Sequence, residues 1–472
     1  MRRHVVPRHA SRRASKLKLR VHSIGLMVSG LALMALLYSA TMGDDSLTRE
    51  ITLIGNAEPR TTTPQAKATI AYATLLSSCP EDMDVEKAHV DKAQKLLDAA
   101  AVLKHSVHLS SIRNYAHSKS LYDYKMYAFI HPSAERCSAA FADVGYTVLV
   151  LPNPVELKDI RNQEYAKIID GSGCCSEKEF VKLNIYKLEE HPIAMFLDFD
   201  AFVLKPYDDL FDAMLQPQNT VKTVPEAMWD KQVSHPINGY YVKDYNNNNL
   251  FRTHDKIQIQ GGFLIGRVQR SIYDEFVKLI TAGEFKNGYG WGKEGWGGHR
   301  AGLGGSDRFQ GIVAYFYDGV QPNTSVELNR CTHCANSGRS YLKRGKKKEK
   351  VCPTLQSEDE CEDCSATPLD KIYSVHLTIS KPWDCLTDDF NTTHLRFPKL
   401  MEFHREWHRI RHDLERSMGT SMSLTGSNQR EPGAKYQHFG HCIQRLGEPE
   451  EKYPYGYEYL PIRYPSSATT KQ

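Results

Sequence analysis

The sequence predicts an α/β protein, a mostly parallel sheet with helices on its faces. Three observations predict it. Apolar runs of strand length alternate with longer stretches of helical spacing, the pattern of strands joined by helical crossovers. The most apolar run, Ile193 to Leu197, ends abruptly in Asp198-Phe199-Asp200. Ligands of parallel sheets sit beyond the carboxyl ends of the strands, where those two acids fall. A chain of 472 residues has room for two or three domains, or for one long domain with insertions.

Residues 1–20 carry eight basic side chains and no acid, and read as a cytosolic tail. Residues 21–43 are apolar, without a full charge, and long enough to cross a bilayer as a signal anchor. The basic side precedes them and Asp44 and Asp45 follow, so the positive-inside bias places the bulk of the chain outside or in a lumen. A cleaved signal peptide is the rival reading, because Ser39 and Ala40 are small. Residues 44–67 read as a polar stem. Lys plus Arg total 60 against 56 for Asp plus Glu, and without the tail the balance is slightly acidic, so nothing favours nucleic acid as a partner.

The folded part is expected over 68–418. Residues 68–76 are the first strand, 83–103 a helix rich in Ala, Lys and Leu, 122–130 a second strand, and 146–151 a third, stopped by Pro152. A short helical piece is expected near Cys137. Residues 177–189 are helical, with Phe180, Leu183 and Tyr186 facing the core, and lead into the strand at 193–197. Residues 216–258 read as loop. Gln260-Gly261-Gly262 opens another strand, where glycine permits close approach of a ligand or a neighbouring strand. A helix over 271–282, a shaped loop rich in Gly and Trp over 289–305, and a helix over 306–317 follow. A last long helix carries Leu400, Phe403, Trp407, Ile410 and Leu414 as one apolar stripe, with Pro398 near its start and Gly419 past its end. Residues 419–472 read as a flexible extension.

Cysteine usage depends on topology. Cys331, Cys334, Cys352, Cys361 and Cys364 cluster in a rich insertion over 331–364. In an oxidising lumen they are disulfide candidates, and their spacing also suits a zinc ribbon. Asn323-Thr-Ser and Asn391-Thr-Thr are glycosylation acceptors that agree with a lumenal setting.

Two carboxylates one residue apart at a strand end offer hard oxygen ligands suited to Mn²⁺ or Mg²⁺, and so to a diphosphate. An isolated Asp-x-Asp is also a common solvated strand end. Here it has company: Lys182 before it, Gln260-Gly261-Gly262 after it, and His376-Leu-Thr-Ile-Ser-Lys381-Pro-Trp383 beyond the cysteines. That ordered set resembles glycosyltransferase family 8, the glycogenin-like family that includes galactinol synthases and plant glucuronosyltransferases of xylan. The resemblance runs from about Ala68 to about Leu414.

It implies a GT-A fold, Rossmann-like with one nucleotide site, and a UDP-sugar donor. Asp198, Asp200 and His376 would bind Mn²⁺, with Mg²⁺ as the alternative. Lys381 would hold the donor diphosphate and Lys182 the donor sugar side. Thr74, Leu75 and Ser77 correspond to the family's uridine contacts, with Phe199, Gln260, Gly261 and Gly262 completing the donor site. Gln310 resembles the amide near the reacting carbon, and Asp307 is the nearest acid to it. Ile379 stands where many relatives have glycine, Gln260 and Gly261 stand where they have Asn and a small residue, and Phe309 rather than Asp precedes Gln310. The implied activity is a retaining glycosyltransferase of the Golgi membrane, single-pass type II, acting on a glycan or other hydroxyl acceptor. The alternative is a catalytically silent carbohydrate-binding or scaffold protein of the same fold.

Overall fold

The computed structural model describes residues 64–79, 92–170, 175–216, 222–223, 232–233, 236–244, 256–298, 305–336, 342–344, 349–351, 363–378, 380–385, 398–421, 436–445 and 458–465, all in the unit Thr63–Gln472. The tail, the 21–43 segment, nearly all of the stem, Asn391, Cys352, Cys361 and Ile379 lie outside the described residues. Among the described residues no helix is long and apolar enough to cross a membrane.

A central sheet of seven strands is built from β1 (Thr69–Leu76), β2 (Asp123–Ile130), β3 (Thr147–Val150), β4 (Ile193–Leu197), β6 (Gly239–Lys243), β7 (Ile259–Arg267) and β8 (Ser325–Glu327), in the order β8-β6-β7-β4-β1-β2-β3. Every neighbour pair is parallel except those made by β7, which runs against both β4 and β6. The sheet is therefore mixed, with one opposing strand. A separate small ladder joins β5 (Ala201–Val203) to β9 (Ser374–His376), antiparallel.

Side chains alternate between the two faces of each strand, and the core divides accordingly. Ile70, Tyr72, Ile193, Met195 and Leu197 pack on one side with α1 (Lys92–Leu109) and α5 (Pro398–Ser417). Ala71, Ala73, Ala194 and Phe196 pack on the other with α3 (Arg270–Ala282) and α4 (Phe309–Tyr315). Between β5 and β6 lies α2 (Asp208–Leu215). The stripe on α5 is buried at Leu400, Phe403, Trp407 and Ile410, and the helix stops before Gly419, whose φ of +70° suits glycine.

Three features differ from the sequence reading. Residues 216–258, read as loop, contain β6, a buried strand inside the sheet. Residues 177–189, read as helix, wind as a 3₁₀ helix over Ser176–Lys187, buried from Glu179 to Tyr186. The three-residue spacing of Phe180, Leu183 and Tyr186 fits that tighter winding, where positions three apart eclipse. The flexible extension expected over 419–472 is in part folded. A sheet of β10 (Tyr436–Phe439), β11 (Cys442–Arg445) and β12 (Glu458–Tyr459) forms there, and Cys442, Tyr459 and Ile462 are buried in the same core as α1 and α5. Asp98 of α1 anchors it, accepting from Tyr459 Oη at 2.9 Å, the Ile462 amide at 2.8 Å and Tyr464 Oη at 3.1 Å.

Disulfides join Cys79 to Cys137, Cys331 to Cys364, and Cys385 to Cys442. The Cys331–Cys364 bridge takes two of the five clustered sulfurs, one from each CxxC pair that a four-cysteine zinc ribbon would need, while Cys334 keeps its thiol.

Candidate active site

The site forms where β4 ends. Parallel pairing sets Ala73 of β1 opposite Phe196 of β4, so Thr74, Leu75 and Ser77 reach the same carboxyl edge as Asp198. Antiparallel pairing sets Phe263 opposite Leu197, and the Asp198 amide donates to the Gly262 carbonyl at 3.2 Å. Gln260, Gly261 and Gly262 thus begin β7 beside the point where β4 stops. Gln260 Oε1 accepts from the Gly262 amide at 2.6 Å.

His376 arrives by the small ladder. It pairs with Ala201, one residue past Asp200, and its amide donates to the Ala335 carbonyl. Its Nε2 lies 3.0 Å from Asp200 Oδ1 and 3.7 Å from Asp198 Oδ2. One ligand atom from each of Asp198, Asp200 and His376 lies within 4.8 Å of the others. The three residues fit a divalent cation. Gly262 makes the room: a Cβ there would stand 2.3 Å from His376 Cε1 and 2.6 Å from Asp198 Oδ2.

Two lysines flank the trio. Lys381 Nζ binds both the Asp200 carboxylate and the Leu377 carbonyl. Lys182 Nζ donates to Asp198 Oδ1 at 3.2 Å and to the Gly261 carbonyl at 3.0 Å. Its ammonium also lies 4.8 Å from the Phe196 ring centroid and 5.4 Å from that of Phe309. Burial alone would raise the Asp200 carboxyl, but the His376 imidazolium and the Lys381 ammonium outweigh it and hold the group well below the carboxylate range. Burial alone would lower His376, yet the Asp200 carboxylate overrides it and raises the ring's affinity for a proton well above the ordinary imidazole range. For Lys182 burial is likewise outweighed, by the Asp198 and Glu179 carboxylates, and its affinity for a proton rises.

The remaining expected residues divide. Gln310 stands over Gly261: a Cβ at Gly261 would meet Gln310 Nε2 at 2.8 Å. Among the described residues its Oε1 has no hydrogen-bond partner although it is buried. Asp307 is buried. Its carbonyl accepts from Tyr165 Oη at 2.8 Å and its carboxylate lies 3.7 Å from Arg308 Nε. Thr74 is fully buried at the end of β1, its Oγ1 without a protein partner among the described residues, and Leu75 and Ser77 are half-buried beside it. Phe199 packs into the core against Phe141, ring centroids 5.3 Å apart.

One contact was not foreseen. Cys334 is buried, with Sγ 3.9 Å from His376 Nδ1, the nitrogen that does not face Asp200. Its CxxC setting had pointed to a disulfide, and no spacing in the sequence relates it to His376.

No family model matches the chain, and no curated protein matches it. Among solved structures it is similar to the WbbM bifunctional glycosyltransferase in its apo form, at 12% identity and a TM-score of 0.36, covering 74% of this chain and 52% of that one. The chain thus spans about half the length of WbbM. It is similar to the galactosyltransferase LgtC, solved with donor and acceptor sugar analogues, at 11% identity and a TM-score of 0.34, covering 70% of this chain and 94% of that one. It is also similar to apo mouse xyloside xylosyltransferase 1, at 10% identity and a TM-score of 0.34, covering 67% and 99% respectively.

Proposed function

We propose that this chain is a metal-dependent glycosyltransferase of the GT-A type that moves a sugar from a UDP donor to a hydroxyl acceptor with retention of configuration. The observation that carries the reading is the convergence at one strand end of Asp198, Asp200, His376 and Lys381, residues brought together from distant parts of the chain. Two carboxylates and an imidazole are a ligand set for Mn²⁺, and an ammonium beside them is a fixed partner for a diphosphate.

Asp198, Asp200 and His376 would hold the ion, which when bound neutralises charge on the departing diphosphate. Lys381 places a second positive charge there. Lys182, braced by Asp198 and the Gly261 carbonyl, supports the sugar side. Gln310, beside Gly261, presents a neutral amide to the reacting carbon. A front-side path fits such a residue, because it needs no carboxylate nucleophile: the acceptor oxygen bonds to the anomeric carbon as the bond to the diphosphate oxygen breaks, and the acceptor's proton passes to that leaving oxygen. Thr74, Leu75 and Ser77 line the edge assigned to the uridine. A type II Golgi membrane location completes the reading, supported by the basic tail, the apolar 21–43 segment and the disulfides.

The test is UDP release by the full-length chain over a panel of UDP-sugars with Mn²⁺, alongside Asp200→Asn. Turnover that needs Mn²⁺ and is lost in the variant supports the proposal. A folded protein inert toward every donor and acceptor offered would favour the silent scaffold.

A further inference from the structure

A second group of metal-competent side chains lies away from this site, where α5 meets the C-terminal sheet. His412 and Glu415 are three apart on α5, on one face of the helix, and His441 sits in the turn between β10 and β11. One ligand atom from each lies within 4.8 Å of the others. Glu415 and His441 are buried and His412 is half-buried.

The hydrogen bonds there run short of positive charge. His408 Nδ1 accepts from the His441 amide at 3.3 Å, so that nitrogen carries no proton. His441 Nδ1 lies 3.2 Å from the same atom and must therefore be the donor between the two rings. A neutral His441 then has its lone pair on Nε2, which faces Glu415 Oε2 at 2.9 Å. The other carboxylate oxygen is committed to Arg411, whose Nε and Nη2 donate to it at 3.2 and 2.9 Å. His441 Nε2 and Glu415 Oε2, 2.9 Å apart, therefore need either one proton on one of them or a cation between them. A proton shared by His441 and Glu415 satisfies those two and leaves His412, whose Nδ1 lies 3.4 Å from Ser421 Oγ, outside the pairing. A divalent cation satisfies all three.

We propose that His412, Glu415 and His441 bind a zinc-class divalent cation that fastens α5 to the C-terminal sheet. Two imidazoles and a carboxylate form a nitrogen and oxygen set suited to Zn²⁺. Tetrahedral ligands at about 2.0–2.1 Å from the ion are ~3.4 Å from each other, a spacing inside the 4.8 Å that bounds the three ligand atoms here. Arg411 on the free carboxylate oxygen and His408 on the far nitrogen of His441 orient two of the three ligands, the role that outer partners play around bound metals.

The experiment uses the full-length chain carrying Asp198→Asn, which removes the first metal site, with and without His412→Asn. His412 is partly exposed, so this change tests ligation with little risk to folding, and circular dichroism checks that. After equilibration with micromolar Zn²⁺ and dialysis, elemental analysis should find about one zinc per chain in the Asp198→Asn protein and a loss of at least tenfold in the double variant. Zinc should raise the melting temperature of the first protein and leave the second unmoved. Equal zinc in the two proteins, or none in either, overturns the proposal and leaves the His441–Glu415 contact as a protonated ion pair.

Discussion

Gly262→Ala probes the metal site through geometry alone. The added carbon would lie 2.3 Å from His376 Cε1, 2.6 Å from Asp198 Oδ2 and 2.8 Å from His376 Nδ1, where ordinary contacts begin near 3.4 Å. Two of the three expected ligands must therefore retreat by about 1 Å. The backbone at Gly262 does not need glycine's conformational freedom, since its φ is not positive, so the damage falls on ligand placement rather than on the strand. A displacement of that size at a catalytic centre costs ~100-fold, or about 2.7 kcal/mol of transition-state stabilisation. The expected outcome is a fall of that order in kcat/KM and weaker Mn²⁺ binding by calorimetry, with the melting temperature within a few degrees of wild type. Wild-type metal affinity and turnover in a folded Gly262→Ala protein would refute the assignment of Asp198 and His376 as ligands.

Lys381→Met should lower kcat by about 10²–10³ by removing the charge set against the departing diphosphate, a drop that UDP-release kinetics at saturating Mn²⁺ would measure. Cys334→Ala should weaken Mn²⁺ binding by ~10-fold, because it frees the far nitrogen of His376, and Cys334→Ser should recover most of it. Acid should destabilise the fold through two histidines buried in neutral form. Burial holds His404 down to about 4 and His333 down to about 3. Both lie below the ordinary 6.5, so the unfolded chain takes up protons first and stability falls as pH drops from about 6.5 toward 4, each ring contributing up to about 1.4 kcal/mol per pH unit. Urea midpoints at pH 7, 6 and 5 should decline in step, and a flat series would count against both assignments.

What the sequence made legible follows from contiguity. The strands β1 to β4 and β7 are apolar runs whose burial is written in adjacent residues, and the acids at the end of β4 stand out because they interrupt such a run. The strand β6 was not legible. Its Tyr240-Tyr241-Val242 core sits between polar stretches, and its burial comes from pairing with β7 and β8 further along the chain. The ladder of β5 and β9 has three residues a side, too few to show a period, yet it sets His376 against Asp200. Phe199 sits in the turn that carries the two acids and its ring packs onto Phe141, a contact that its place between two carboxylates does not display. The C-terminal residues misled because polar contacts fix them: Tyr459, Tyr464 and the Ile462 amide meet at Asp98, an anchor that no hydropathy pattern displays.

The β5–β9 ladder also bears on how the protein matures. Lys381 and Asp200 are 181 residues apart, and a ribosome delivers the carboxylates long before their partners. A nascent chain halted just before Ser374 has all seven strands of the main sheet but neither the imidazole nor the ammonium. If these residues hold an ion as proposed, its capture would be one of the last events of biogenesis, and early-terminated products would lack two of the groups set around it.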